Sequence, residues 1–255
     1  MAVGATGPSH EGTAVLVHGL WGSPSDWTWV AAALEARGWD VRTPDLPSHR
    51  APDAGLAADA EAVRVVVRGL RAARRPVVLV GWSYGGTVAT VASWGDAPPD
   101  RLVHVAALPE HPRPGERRDR SRDRADHVHV LDDGTCVLDH EWWTTRGGAA
   151  TFPAHVRARL ARRRPASQGT TGEPIPVAGW HDVPTTVLLG RDDTLLPRGA
   201  ALLVPPPVDD VRQVDCDHFL PFRLPDLVAA TVAEPPGPPV TPRPGRDAAG
   251  ARDAP

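Results

Sequence analysis

The chain has 255 residues, 41% of them hydrophobic, which is enough to bury one sizeable core and not two. Its 28 Lys+Arg stand against 31 Asp+Glu, a net charge of -3 without the basic footprint a phosphate backbone demands, so nucleic acid is a poor fit as partner. Lys and Asn are both absent, which removes Schiff-base catalysis, a Walker-type phosphate loop, N-glycosylation sequons and a papain-like Cys-His-Asn site.

Residues 1–12 read as an N-terminal extension that lacks the basic start and apolar stretch of an export signal. TAVLV at 13–17 is a short apolar run ending in His18-Gly19, the pattern of a buried strand feeding a turn. From Asp26 to Arg37 apolar positions fall at helical spacing, with Ser25 or Asp26 to cap the start and Gly38 the end, and a second strand follows at 39–43, stopped by Pro44. Residues 54–74 repeat the helical pattern with Arg gathered toward the C-terminal end, where cations suit the helix dipole. PVVLV at 76–80 is continuously apolar, as a parallel strand covered on both faces should be; a helix is predicted at 87–93 and further strands at 102–107, 185–189 and 211–215, with a closing helix at 224–233.

Strands alternating with helices predict an α/β fold with a mostly parallel sheet wrapped on both faces, and ligands then bind at the carboxyl ends of the strands. Residues 109–181 break the alternation and read as an inserted cap. They hold an Arg/Asp run from Arg113 to Arg124 (a solvated segment), a hairpin turning at Asp132-Asp133-Gly134, the pair Trp142-Trp143 and a helical stretch ending in Arg162-Arg163-Arg164. The main domain is thus expected over 13–233. The tail at 234–255 lacks apolar residues to bury, absorbs much of the Pro excess, and is expected to be disordered.

No run approaches the roughly 20 apolar residues of a membrane span, and Cys136 and Cys216 stand far apart in no metal-like spacing. A cytoplasmic protein without a metal, a cofactor or a membrane partner is expected, as a monomer or homodimer.

Gly81-Trp82-Ser83-Tyr84-Gly85-Gly86 is a G-x-S-x-G element between a strong strand and a helix. A sharp turn there lifts the Ser83 hydroxyl clear of the sheet, and the flanking glycines leave room where a Cβ would collide with backbone. A serine hydroxyl needs a base to take its proton and an acid to hold that base. His218 follows the last strand and would lie at the same sheet edge, whereas His104 is inside a strand. The acid is Asp193 or its neighbour Asp192 after the TTVLLG strand, Asp193 being favoured, with Glu110 a distant third.

The motifs HGLWGSPSDW, LVGWSYGG, GRDDTLLP and DHFLPFRLP, in this order, resemble those of the α/β-hydrolase-fold superfamily over 13–233, with Ser83, Asp193 and His218 in its chain order. The HGLWG turn, the SYGG elbow and the cap with DDGTCVLD and AGWHDVPTTVLLG are most similar to the small esterases of the plant methylesterase and hydroxynitrile lyase group and their bacterial relatives. The resemblance implies an oxyanion hole made by the backbone N–H groups of Leu20 and Tyr84, with His18 a structural residue of the turn. Two departures matter: Asp217 replaces the usual Gly before the histidine and puts a carboxylate beside the base, and the Lys of the hydroxynitrile lyases is missing, which counts against cyanohydrin cleavage. Trp21 and Trp82 flank the oxyanion turn and the nucleophile and could line a substrate pocket or pack the core; Trp142 and Trp143 suit cap structure. The expected function is hydrolysis of a small carboxylic ester through an acyl-enzyme; a C–C bond hydrolase, a thioesterase, a lyase or a non-catalytic small-molecule receptor are alternatives on the same scaffold.

Overall fold

A computed structural model describes residues 11–113, 115–116, 126–208 and 210–235. The predicted strands form as β1 (Thr13–Val17), β2 (Asp40–Arg42), β3 (Val77–Trp82) and β4 (Arg101–Val105). After the cap strands β5 (Val128–Val130), β6 (Thr135–Leu138) and β7 (Ala166–Ser167) come β8 (Thr185–Gly190) and β9 (Asp210–Val214). Six of them build one all-parallel sheet in the order β2-β1-β3-β4-β8-β9. Most of the Arg113–Arg124 run, the tail beyond residue 235 and the first ten residues lie outside the described residues.

Period-2 alternation sends the strand side chains to two separate cores. Ala14 and Leu16 of β1, with Val78, Val80 and Trp82 of β3, pack against α1 (Thr28–Glu35), α8 (Pro225–Ala233) and the cap. Val15 and Val17, with Val77 and Leu79, pack on the other face against α2 (Leu56–Ala72) and α3 (Tyr84–Ala92). Both faces of β1 and β3 are thereby buried, which is why these strands read as unbroken apolar runs rather than as alternating ones.

Element boundaries shift from expectation by a residue or two in several places, and two helix starts have a local reason. Helix α1 begins with a 3₁₀ turn at Pro24–Trp27, because Pro24 suits a first helical turn. Helix α3 starts at Tyr84 rather than at 87, because Gly85 and Gly86 are inside the helix, where they let it sit directly on the sheet. Between β4 and β8 the cap forms the predicted hairpin, with Gly134 at φ +80°, and β7 joins it as an unforeseen third strand. The cap also contains α4 (His140–Thr145), α5 (Ala154–Leu160) and the single-turn α6 (Gly169–Gly172). Before the closing α8 lies the short α7 (Leu220–Arg223). No described helix is long and apolar enough to cross a membrane.

The chain runs from β1 to β2 on one side and returns to β3 on the other, so the strand order reverses between β1 and β3. Their register sets Val17 opposite Gly81, which brings the His18-Gly19 turn beside Trp82-Ser83 at the carboxyl edge, the crevice where open α/β sheets bind ligands.

Candidate active site

Ser83 occupies the tight turn between β3 and α3 at φ 54°, ψ -123°, a conformation that a non-glycine residue holds only when its surroundings impose it. The surroundings are visible: the Ser83 N–H donates to the Val105 carbonyl at 3.1 Å and the Gly86 N–H to the Ser83 carbonyl at 2.8 Å. A Cβ on Gly81 would lie 2.6 Å from the Gly86 Cα, and one on Gly19 3.3 Å from the Ser83 Cβ. The elbow and the His18-Gly19 turn are therefore pressed together without side chains between them.

Loops from the far strands bring the other two groups to this point. His218 Nδ1 and Asp193 Oδ2 are 2.8 Å apart, with both side chains nearly inaccessible to solvent. The other Asp193 oxygen accepts the N–H groups of Leu195 at 2.8 Å and Leu196 at 3.1 Å, fixing the carboxylate from behind. Burial alone would raise the Asp193 pKa, but the imidazole and these amides outweigh it and hold the group below the usual carboxylate range. Trp82 anchors the histidine: its indole N–H donates to the His218 carbonyl at 2.8 Å, tying the residue before Ser83 to the base. The Ser83 hydroxyl and the His218 ring form no hydrogen bond in this structure, a contact that often tightens only with substrate in place.

Of the alternative acids, Asp192 is exposed and contributes only its N–H, to the Cys216 carbonyl at 3.0 Å. Glu110 is engaged elsewhere, accepting from the Thr87 hydroxyl, while its carbonyl accepts the Trp180 indole N–H. Asp217 turns to Arg223, whose guanidinium lies 2.8–2.9 Å from its oxygens, and it accepts the Phe219 N–H at 3.0 Å. The carboxylate next to the histidine is thus neutralised by an arginine. Asp217 is not among the described residues with positive φ, so this loop does not demand a glycine.

Tyr84 follows Ser83 as the first residue of α3, and Leu20 is half-buried in the turn that the Gly22 N–H closes onto the Gly19 carbonyl at 3.1 Å. Trp82 is 4% exposed and packs edge-on against Phe219 and Phe222, so it supports the base from the core side. Trp21 is half-buried and its indole N–H donates to the Cys136 carbonyl of β6 at 3.2 Å, bridging the turn to the cap. In the cap, Trp142 stacks on His127 at 3.6 Å, and Trp143 is buried with its N–H on the Leu160 carbonyl. His18 is buried; its Nδ1 lies 3.0 Å from the Gly19 carbonyl and two donors, the Leu46 N–H and Arg164, converge on Nε2 at 3.4 Å. Nε2 also faces the Asp45 carboxylate at 3.6 Å, and this ring of contacts gives His18 a turn-holding role.

A buried polar network below the elbow was not foreseen. The Tyr84 hydroxyl donates to Asp59 at 2.7 Å, Ser48 donates to the same carboxylate through its hydroxyl at 2.5 Å and its N–H at 2.9 Å, and His49 Nδ1 meets the Ser48 hydroxyl at 3.0 Å. The sequence signal for it is Pro47-Ser48-His49, a short turn after β2.

Two buried histidines set an acid limit on stability. Burial pushes His104 down to about 3 and His49 down to about 2, and among the described residues neither ring nitrogen of His104 has a partner. An unfolded histidine titrates near 6.5, so below that pH the unfolded chain binds protons that the fold refuses, and stability falls as pH drops toward the folded values. Each residue then contributes a slope of about 1.4 kcal/mol per pH unit. In urea melts at pH 7.5 and 5.0, His104→Leu is expected to lose about 2 kcal/mol less than the wild type over that interval. Equal losses in the two proteins would show that His104 does not set the limit.

The model of the alpha/beta hydrolase family matches residues 14–231. The chain belongs to that family. Among solved structures, a pyrethroid hydrolase from Sphingobium faniae JZ-2 is 22% identical with a TM-score of 0.65, covering 87% of this chain and 96% of its own. A methylesterase from Arabidopsis is 18% identical with a TM-score of 0.66, over 86% and 96%. Tomato methylketone synthase I, in complex with 2-tridecanone, is 18% identical with a TM-score of 0.68, over 86% and 95%. No curated protein sequence matches the chain significantly.

Proposed function

We propose that this family member is a serine esterase that cleaves small carboxylic esters. Ser83 attacks the ester carbonyl; His218 takes the hydroxyl proton and returns it to the leaving alcohol; Asp193 holds the imidazole and stabilises its charged form. The N–H groups of Leu20 and Tyr84 receive the oxyanion, and water then hydrolyses the acyl-enzyme with the same base. The observation that carries this reading is the 2.8 Å pair of Asp193 and His218, shielded from water and tied through Trp82 to an elbow that holds Ser83 at φ 54°. The names of the pyrethroid hydrolase and the methylesterase point the same way, toward ester substrates. Cys136 and Cys216, both buried and not joined in a disulfide, fit work in the reducing cytoplasm.

Intact-mass spectrometry after exposure to a fluorophosphonate, with turnover of p-nitrophenyl acetate and butyrate alongside, tests the proposal. One adduct per chain is expected, together with ester turnover, and both should vanish in Ser83→Ala. Unlabelled, folded wild type would turn attention to the pocket as a small-molecule receptor.

A further inference from the structure

The turn that would supply one oxyanion donor is held largely by the cap. Within it, Trp21 sits at φ 57°, where a bulky side chain is strained, so the turn needs external contacts to keep its shape. Those contacts converge from two adjacent cap residues. The Arg164 N–H donates to the Trp21 carbonyl at 2.9 Å and its Nε to the Gly22 carbonyl at 2.8 Å. The Arg164 guanidinium grips both Asp45 oxygens, at 2.6 and 3.2 Å, and approaches His18 Nε2 at 3.4 Å. Arg163 forms a second fork with Asp26, at 2.7 and 3.1 Å, in a pair that is almost fully buried. Asp26 in turn accepts the Ser23 N–H at 3.3 Å, at the end of the same turn. Trp21 completes the seam by donating to Cys136 of β6.

We propose that Arg164, supported by Arg163, is a positioning residue that latches the cap onto the 18–22 turn and sets the Leu20 amide against the Ser83 elbow. The inference rests on the esterase reading for its effect on rate. A bidentate fork onto Asp45, with a further donor onto a backbone carbonyl, fixes direction as well as distance, which a lysine ammonium on a flexible stem cannot reproduce. Oxyanion donors act only when set to within tenths of an ångström of the developing charge, so a loosened turn lowers kcat while ground-state binding is little affected. The cap, on this view, assembles part of the catalytic machinery as well as covering it.

The test compares wild type, Arg164→Ala, Arg164→Lys and, as a milder cut that keeps the arginine, Asp45→Asn. Readouts are kcat and KM on p-nitrophenyl acetate and amide hydrogen exchange of the 18–25 segment. For Arg164→Ala, kcat is expected to fall about 100-fold with KM within about threefold. Added guanidinium should restore part of the loss, Arg164→Lys should remain impaired, and exchange at 18–25 should quicken while 77–92 keeps its protection. Asp45→Asn, which decides the matter if Arg164→Ala does not fold, should lose about tenfold in kcat with the same exchange signature. Unchanged kcat, a loss confined to KM, or unchanged exchange at 18–25 would overturn the latch. Wild type that turns over no ester would sink the esterase reading, and the exchange data would still settle the latch: quickened exchange supports it and unchanged exchange refutes it.

Discussion

Asp193→Asn is expected to lower kcat for ester hydrolysis by about four orders of magnitude without unfolding the protein. The two Asp193 oxygens have separate tasks, and the substitution splits them. An amide oxygen in the inner position still accepts the Leu195 and Leu196 N–H groups, so the loop keeps its shape. The amide nitrogen then faces His218 Nδ1, where a carboxylate oxygen stood at 2.8 Å. An amide there donates a proton where one must be accepted, so the ring is held as the Nε2–H tautomer and cannot take the Ser83 proton. Stabilisation of the imidazolium by a shielded negative charge disappears at the same time. The control is Asp192→Asn, one residue away and exposed, whose activity should stay near that of the wild type. Steady-state kinetics on p-nitrophenyl acetate, beside a thermal melt of each protein, decide the matter; an Asp193→Asn enzyme within tenfold of wild-type kcat would show that another group orients the base.

What could be read from the sequence follows how local each signal is. The elbow was legible because an apolar strand, a G-x-S-x-G turn and a helix lie within twenty residues, and His218 because it follows the last strand. The choice between Asp192 and Asp193 could not be closed there, since adjacent carboxylates share one turn and only the folded loop shows which oxygen meets the imidazole and which side chain faces water. Gly85 and Gly86 looked like the end of a turn because glycine disfavours helix interiors; their reason for being in α3 is an approach to β1 that no local pattern reveals. β7 escaped because two residues carry no periodicity, and it is held only by pairing with β6. Arg163 and Arg164 read only as the end of a helical stretch in the cap. Their partners Asp26 and Asp45 lie 137 and 119 residues away, so the feature that ties cap to turn existed only as an unassigned charge in the sequence.

The largest expected effect on stability comes from the same packing. A Cβ on Gly85 would sit 2.7 Å from the His18 carbonyl oxygen and closer still to that of Val17, both backbone atoms at the end of β1. Backbone cannot rotate away as a side-chain tip can, so Gly85→Ala must push α3 off the sheet or distort the oxyanion turn. Overpacking a tight core costs about 1–3 kcal/mol, and contact with fixed backbone belongs at or above the upper end. At roughly 2–4 °C per kcal/mol for a domain of this size, Tm should fall by about 6–12 °C, with esterase activity reduced even where the protein is folded, because Ser83 moves with the helix. Gly69→Ala supplies the opposite sign from the same residue change: that glycine lies exposed inside α2 with no atom within 4 Å of its missing Cβ. Removing the backbone freedom of a helical glycine is worth about 0.5–1 kcal/mol, so Tm should rise by about 1–4 °C with activity unchanged. Differential scanning calorimetry of the two variants separates the explanations. If Gly85→Ala melts within two degrees of the wild type and keeps full activity, α3 can slide on β1 without disturbing Ser83, and the close packing of elbow against turn is not what holds the nucleophile in its strained position. If the two variants shift in opposite directions, the glycine at 85 is required by the seat of α3 on β1, and the conformation of Ser83 follows from that seat.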